Sequence, residues 1–301
     1  MKDLSLIVLL FFICFEINAQ QTLLVDEQSI RLKEEQIKSL GDSILKGTTD
    51  EIRVNANNEL KSELKMLLQS PNTFNYSFDS LKNISKVKSD DDRVRIFTWI
   101  LPTDTGTHYS YCGLIQYRNP KKKIFKLIEL KEDEIDSASL LKKSFKADKW
   151  FGALYYKIIE TKNKKTVYYT LLGWKGNNKQ TTKKVIDVLT FNNDEAQLGA
   201  PVLQFEKHIQ SRIVFEYNAE VSMLLHWDEH NHAIVFDHLA PANIAFKNQM
   251  QTYGPNFQYD ELKWRKGKWN YAHDVDVRNS NDVTKEPAPN KKKREFYAPE
   301  K

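Results

Sequence analysis

Two spacings divide the chain. Between Gln20 and Pro71, apolar side chains recur three, four or seven residues apart: Ile30, Ile37, Leu40 and Ile44 in one run, then Ile52, Ala56, Leu60, Leu64 and Leu67 in the next. That recurrence places each set on one stripe of a helix. Gly47 is the expected stop of the first helix, and Thr48 and Glu51 have the capping-box spacing at the start of the second. Ser70-Pro71 ends that second helix. Both stripes are narrow and flanked by Lys, Glu and Asn, so the helices are expected to pack on the body of the same protein.

From Phe74 onward the pattern changes to β-branched and aromatic runs separated by polar clusters. The runs predict strands at Phe74 to Phe78, Val94 to Leu101, His108 to Tyr117, Ile124 to Leu130, Phe151 to Ile159, Thr166 to Trp174 and Lys184 to Phe191. Further strands are expected at Val202 to Phe205, Ile213 to Trp227, His232 to His238, Phe257 to Trp264 and Lys268 to His273. Short connections favour antiparallel meanders. The predicted fold is therefore mainly β: a large antiparallel meander or sandwich-like body over 72–278, carrying a helical segment over 20–71. Ten glycines are few for a propeller, and no repeat of fixed period is evident.

The N-terminus adds an address. Lys2, the apolar stretch Leu4 to Phe15 and the exit Asn18-Ala19 have the three-part plan of a secretory signal peptide over 1–19. The stretch is shorter than the ~20 residues that span a bilayer, so no transmembrane anchor is expected after cleavage. Cys14 follows Phe11-Phe12-Ile13, which lacks the small side chains of a lipobox. Cleavage after Ala19 leaves Cys112 alone, which excludes an intramolecular disulfide; its apolar surroundings, Tyr109 to Tyr117, predict a buried thiol in a sheet. The expected location is the periplasm, the outer membrane surface or the exterior.

Charge excludes one class of partner. The net +5 comes from 45 basic and 40 acidic residues that are interspersed, with no concentrated patch to track nucleic acid. Lysine pairs and triplets, such as Lys121-Lys122-Lys123 and Lys183-Lys184, fall at the edges of apolar runs, where they protect strand ends. Asp90-Asp91-Asp92 and Glu132-Asp133-Glu134 read as solvated turns, lacking the ligand spacing and glycine of a calcium loop. The polar, proline-containing stretch 279–301, with Lys291 to Arg294, reads as a disordered basic tail.

One motif invites a catalytic reading. His226-Trp227-Asp228-Glu229-His230 fits His-x-x-Glu-His, in which two histidines one helical turn apart hold zinc and the glutamate activates water. That chemistry needs a helix. The residues before it alternate with period two, and His232 to His238 reads as the returning strand, with Trp227 opposite His232 and a bulge or bend near Asn218. His226 and His230 are then candidate metal ligands on a hairpin, with no catalytic residue or cofactor expected. Exposed aromatics are a second possibility, for sugar stacking: Trp150, Trp174, Trp264, Trp269, Tyr155-Tyr156 and Tyr168-Tyr169. Trp264 and Trp269, however, should face each other across a four-residue turn as sheet packing.

The stretches Phe215-Glu216-Tyr217 through His226-Trp227-Asp228-Glu229, Ile234 to Pro241, Tyr253 to Phe257 and Asp274 to Asn279 resemble uncharacterised secreted proteins of Bacteroidetes. The resemblance covers roughly the last third of the chain. It implies a Gram-negative exported setting and transfers no catalytic residue. The resulting expectation is an exported β-rich binding or envelope-associated module with an unknown envelope or extracellular ligand. A zinc-dependent hydrolase at His226-x-x-Glu229-His230 and a carbohydrate-binding protein are the alternatives.

Overall fold

The computed structural model describes residues 24–103 and 108–276. The signal segment 1–19 and the tail 279–301 lie outside them. Helix α1 (Glu27–Lys46) starts where Asp26 accepts the Ser29 amide at 2.9 Å and stops at Gly47. It buries Ile30, Glu34, Ile37, Gly41 and Ile44, alternate steps of four and three that make a single seam. Helix α2 (Asp50–Leu68) buries Arg53, Ala56, Asn57, Leu60, Leu64, Leu67 and Leu68. Its cap is Thr49, whose hydroxyl accepts the Ile52 amide, one residue later than the capping-box spacing predicts. Ile52, placed on the stripe by the sequence, is 47% exposed, and Arg53 takes the inward position.

Phe74 to Phe78 is not a strand. Pro71 opens a 3-10 turn, Pro71–Asn75, and Phe78 has a left-handed backbone (φ 56°). Phe74 and Phe78 are fully buried anchors. The loop is pinned by Arg95, which donates to the carbonyls of Thr73, Phe74, Tyr76 and Ser77 while its guanidinium lies over the Phe97 and Phe78 rings. Burial lowers the Arg95 pKa to about 10.

Three sheets follow. The first is an antiparallel meander of β1 (Ser85–Lys88), β2 (Val94–Thr103), β3 (His108–Asn119) and β4 (Ile124–Lys131). After a short helix, α3 (Ser137–Leu140), a second sheet runs in the order β5 (Phe145–Lys146), β9 (Glu195–Leu198), β8 (Thr181–Asn192), β7 (Thr166–Gly176), β6 (Leu154–Asn163). Strand β12 (Ile213–Asn218) shares with β9 one edge of β8. The third sheet has the order β11 (His208–Gln210), β10 (Leu203–Phe205), β16 (Lys268–Ala272), β15 (Tyr253–Arg265), β14 (Ala233–Pro241), β13 (Leu225–Asp228). Only β10 and β16 pair in parallel among these strands.

Alternation along the strands stacks these elements into four layers. Phe97, Trp99, Leu101, Cys112 and Leu114 face the helices, while Val94, Ile96, Tyr111, Ile115 and Tyr117 face the second sheet. That sheet is covered on both sides: Tyr169, Leu171, Val185 and Leu189 meet the first sheet, and Leu172, Ile186, Val188 and Ile213 meet Ile234, Phe236, Leu262 and Trp269 of the third. The chain is 47% strand and 23% helical, so the mainly β antiparallel body with an N-terminal helical segment is the observed architecture. No described helix is long and apolar enough to cross a membrane.

The predicted strand Ile213 to Trp227 is two strands in different sheets. Asn218 breaks it: its side chain accepts the Glu220 amide at 2.7 Å and its carbonyl accepts the Val221 amide. The hairpin that follows pairs Trp227 with Ile234, two residues from the predicted register. A shift of two keeps every side chain on its expected face. Trp264 does oppose Trp269, with ring centroids 5.4 Å apart. Cys112 is buried in β3 beside Asn57.

Candidate functional site

Where the chain leaves β4 it opens a cleft of about 1040 Å³ lined by Lys61, Glu129, Glu132, Glu134, Lys175 and Asn177. Its floor is built by a crossing. Lys131 and Asp133 exchange backbone hydrogen bonds with Ala147 and Trp150, which brings Phe151-Gly152 against Glu132. Gly152 has φ +80°, and a Cβ there would come within 2.5 Å of Glu132 Oε1 and 2.9 Å of Lys175 Nζ. A side chain at this left-handed position would be strained and would push the flexible ends of Glu132 and Lys175 aside.

Lys175, near the end of β7, donates to Glu132 Oε1 at 2.5 Å and to the Phe151 carbonyl at 2.7 Å. Its ammonium lies 4.5 Å from the Tyr111 ring centre and 4.8 Å from that of Phe151. Burial lowers the Lys175 pKa, against the raising effect of Glu132. Glu132 Oε2 accepts the Tyr111 amide at 2.6 Å, and the Tyr111 hydroxyl accepts the Gly176 amide at 2.6 Å. Glu132, expected in a solvated turn, is instead a half-buried acceptor that joins β3 to β7.

A second hollow of about 390 Å³ adjoins across Gly176, lined by Tyr109, Trp174, Lys184, Tyr217 and Met223. Tyr109 and Trp174 meet edge to face at 6.0 Å. A Cβ on Gly176 would lie 2.8 Å from the Tyr109 ring, so this glycine keeps the ring flat against the strand end. The residues Trp174 to Asn177 thus form a wall common to both hollows: Trp174 reaches into one and Lys175 into the other.

The histidines of the sequence motif do not converge. His226 is exposed on β13, opposite Val235, and His230 is exposed in the turn, where its amide donates to Asp228. Glu229 pairs with Lys157 at 2.7 Å. Strand and turn geometry send the two imidazoles apart, so the motif supplies no helical ligand pair. Among the aromatics singled out by sequence, Trp150, Trp269, Tyr155 and Tyr169 are buried, and Trp264 donates to the Lys162 carbonyl. Trp174 walls the second hollow, and Tyr169 lines a smaller one beside Tyr117 and Phe191.

Two other histidines do come together. His238, near the end of β14, and His273, just after β16, both bond through Nδ1 to the buried carboxylate of Asp260 on β15. Burial acts to raise the Asp260 pKa, but hydrogen bonds from His238, Tyr271, His273 and the Asp274 amide hold it below its ordinary value. The sequence carried a signal for this group: Ile234, Phe236 and His238, Leu262 and Asp260, and Trp269, Tyr271 and His273 continue the core-facing alternation of three adjacent strands with polar residues. No family model matches the chain, and neither the curated proteins nor the solved structures contain a match to it.

Proposed function

We propose that the protein is an exported binding module of the cell envelope that holds a carbohydrate chain in the double hollow around Gly176. The export part rests on the Met1 to Ala19 pattern and on the resemblance to secreted Bacteroidetes proteins. The binding part rests on one observation: a lysine and a glutamate are held together at the floor of an open cleft, beside a hollow walled by Trp174 and Tyr109. A sugar offers hydroxyls that accept from an ammonium or donate to a carboxylate, and a C–H face that lies on an indole or phenol ring. The two hollows present these two chemistries side by side.

The groups of the cleft are already engaged with one another. Lys175 donates to Glu132, and Tyr111 accepts from Gly176, so none of the three stands as a nucleophile beside a free base. Recognition is what this arrangement performs. A glycan panel followed by tryptophan fluorescence and calorimetry tests it on the full chain. One glycan class is expected to bind, with Trp174→Ala abolishing the fluorescence response and Lys175→Met weakening binding about tenfold or more, as expected for a charge-assisted hydrogen bond. Unchanged melting of Trp174→Ala shows that the fold survives the substitution. Absence of binding to every glycan, or equal affinity in both variants, overturns the proposal.

A further inference from the structure

The last three strands of the third sheet end in a donor set unlike any other among the described residues. Asp260 Oδ2 accepts from the Tyr271 hydroxyl at 2.8 Å and lies 2.8 Å from His238 Nδ1. Asp260 Oδ1 lies 2.7 Å from His273 Nδ1 and accepts the Asp274 amide at 3.2 Å. The imidazole centres are 4.6 Å apart. A ligand atom from each of the three side chains lies within 4.8 Å of the other two. Asp260 is 3% exposed, yet among the described residues no lysine or arginine pairs with it; its ionic partners are the two histidines, 33% and 47% exposed.

Backbone irregularity marks the first ligand. Pairing between β14 and β15 runs Asp237 to Tyr259 and resumes at Leu239 with Pro255, so His238 stands alone against Asn256 to Gln258. Phe257 in that bulge has φ 67°. A bulge bends the strand locally, and here the residue left without a paired neighbour is a histidine beside a buried carboxylate. We propose that His238, Asp260 and His273 form a binding site for a divalent transition metal of the zinc class.

The donor set is two imidazole nitrogens and one carboxylate oxygen, which suits zinc, cobalt or nickel better than magnesium or calcium. Each Nδ1 that now faces the carboxylate turns its lone pair to the metal and keeps its proton on Nε2. Tyr271 and the Asp274 amide already hold the carboxylate in place, as outer partners of metal ligands do. Both imidazoles are half-exposed, so rotation of their rings closes the set and leaves the remaining coordination position toward solvent. The site is separate from the cleft at Lys175, and its success or failure is independent of glycan binding.

Untagged full-length protein titrated with Zn²⁺ by calorimetry, and with Co²⁺ by visible absorption, tests the proposal. One ion per chain is expected, with His273→Ala weakening binding about 100-fold and Tyr271→Phe about tenfold. His226→Ala with His230→Ala should leave binding unchanged. Because His273 is half-exposed at a strand end, its variant reads binding without loss of the fold, which circular dichroism checks. No stoichiometric binding, or binding that survives His273→Ala and fails in the His226/His230 double variant, overturns the proposal.

Discussion

Asp187 and Asp260 are both buried carboxylates on adjoining sheets, and their surroundings could hardly differ more. Asp187 faces the interface of the first two sheets with Arg212 Nη2 2.8 Å away, and both side chains are 0% exposed. Arg212 also donates to the Leu140 carbonyl. Asp187 accepts the Tyr155 hydroxyl, which in turn accepts Trp150 Nε1. The whole chain is sealed between layers, and within it Arg212 Nε is left without a hydrogen-bond partner. Asp260 has half-exposed imidazoles where Asp187 has a guanidinium. Burial alone therefore does not mark a site; what distinguishes the two carboxylates is whether the countercharge is permanent and enclosed, or exchangeable and open to solvent.

The comparison breaks most easily at Arg212. Arg212→Met removes the only lysine or arginine paired with Asp187 among the described residues and leaves a charge with no access to water, so it should cost about 3–5 kcal/mol in urea denaturation. Adding Asp187→Asn removes the orphaned charge and should recover part of that loss. A single variant that loses less than about 1 kcal/mol would mean that the pair does not hold these layers together. Tyr155→Phe acts one step further along. It strips the hydroxyl between Trp150 and Asp187, leaving a buried indole N–H without its partner, for an expected loss of about 1–3 kcal/mol. Burial and the nearby Asp187 hold the Tyr155 pKa well above its ordinary value, so this loss should not vary across neutral pH.

The layers were legible in the sequence, while of the sites only the polar ends of three alternating strands were, because the two depend on contacts of different range. Period alone placed Ile30 to Ile44 and Ala56 to Leu67 on helices, and alternation found the long strands and the Trp264–Trp269 pair. It failed at Phe74 to Phe78, where two aromatics four residues apart serve as anchors of a loop that Arg95 holds from another element. At Asn218 it expected a bulge or bend, and the local turn there goes further, dividing one alternating run between two sheets. Lys175 and Glu132 are 43 residues apart and meet beside Gly152, where the chain crosses β4. His238, Asp260 and His273 lie on three segments that sheet pairing alone brings together. The motif that stood out, His226 to His230, was local in sequence and therefore visible, but a strand turns its members outward.

A third carboxylate separates the effect of partner from that of depth. Asp194 is itself nearly covered, its side chain 8% exposed, but its partner is open: Lys122, 55% exposed, approaches its Oδ2 to 2.7 Å. Hydrogen bonds from Lys122, Asn119 and Tyr117 lower its pKa to about 2. A folded-state pKa below the unfolded value of about 3.9 means stability that is present above pH 4 and lost as pH falls toward 2. Asp194→Asn should flatten the acid limb of the melting temperature in that window and leave it unchanged at neutral pH beyond a small offset. The effect is the smallest of the series because Lys122 is exposed and solvent screens its charge. If wild type and variant lose stability in parallel between pH 4 and 2, then fixed partners do not set carboxylate ionisation here. Asp187 and Asp260, which are equally deep, would then have to differ for a reason other than the partners that hold them.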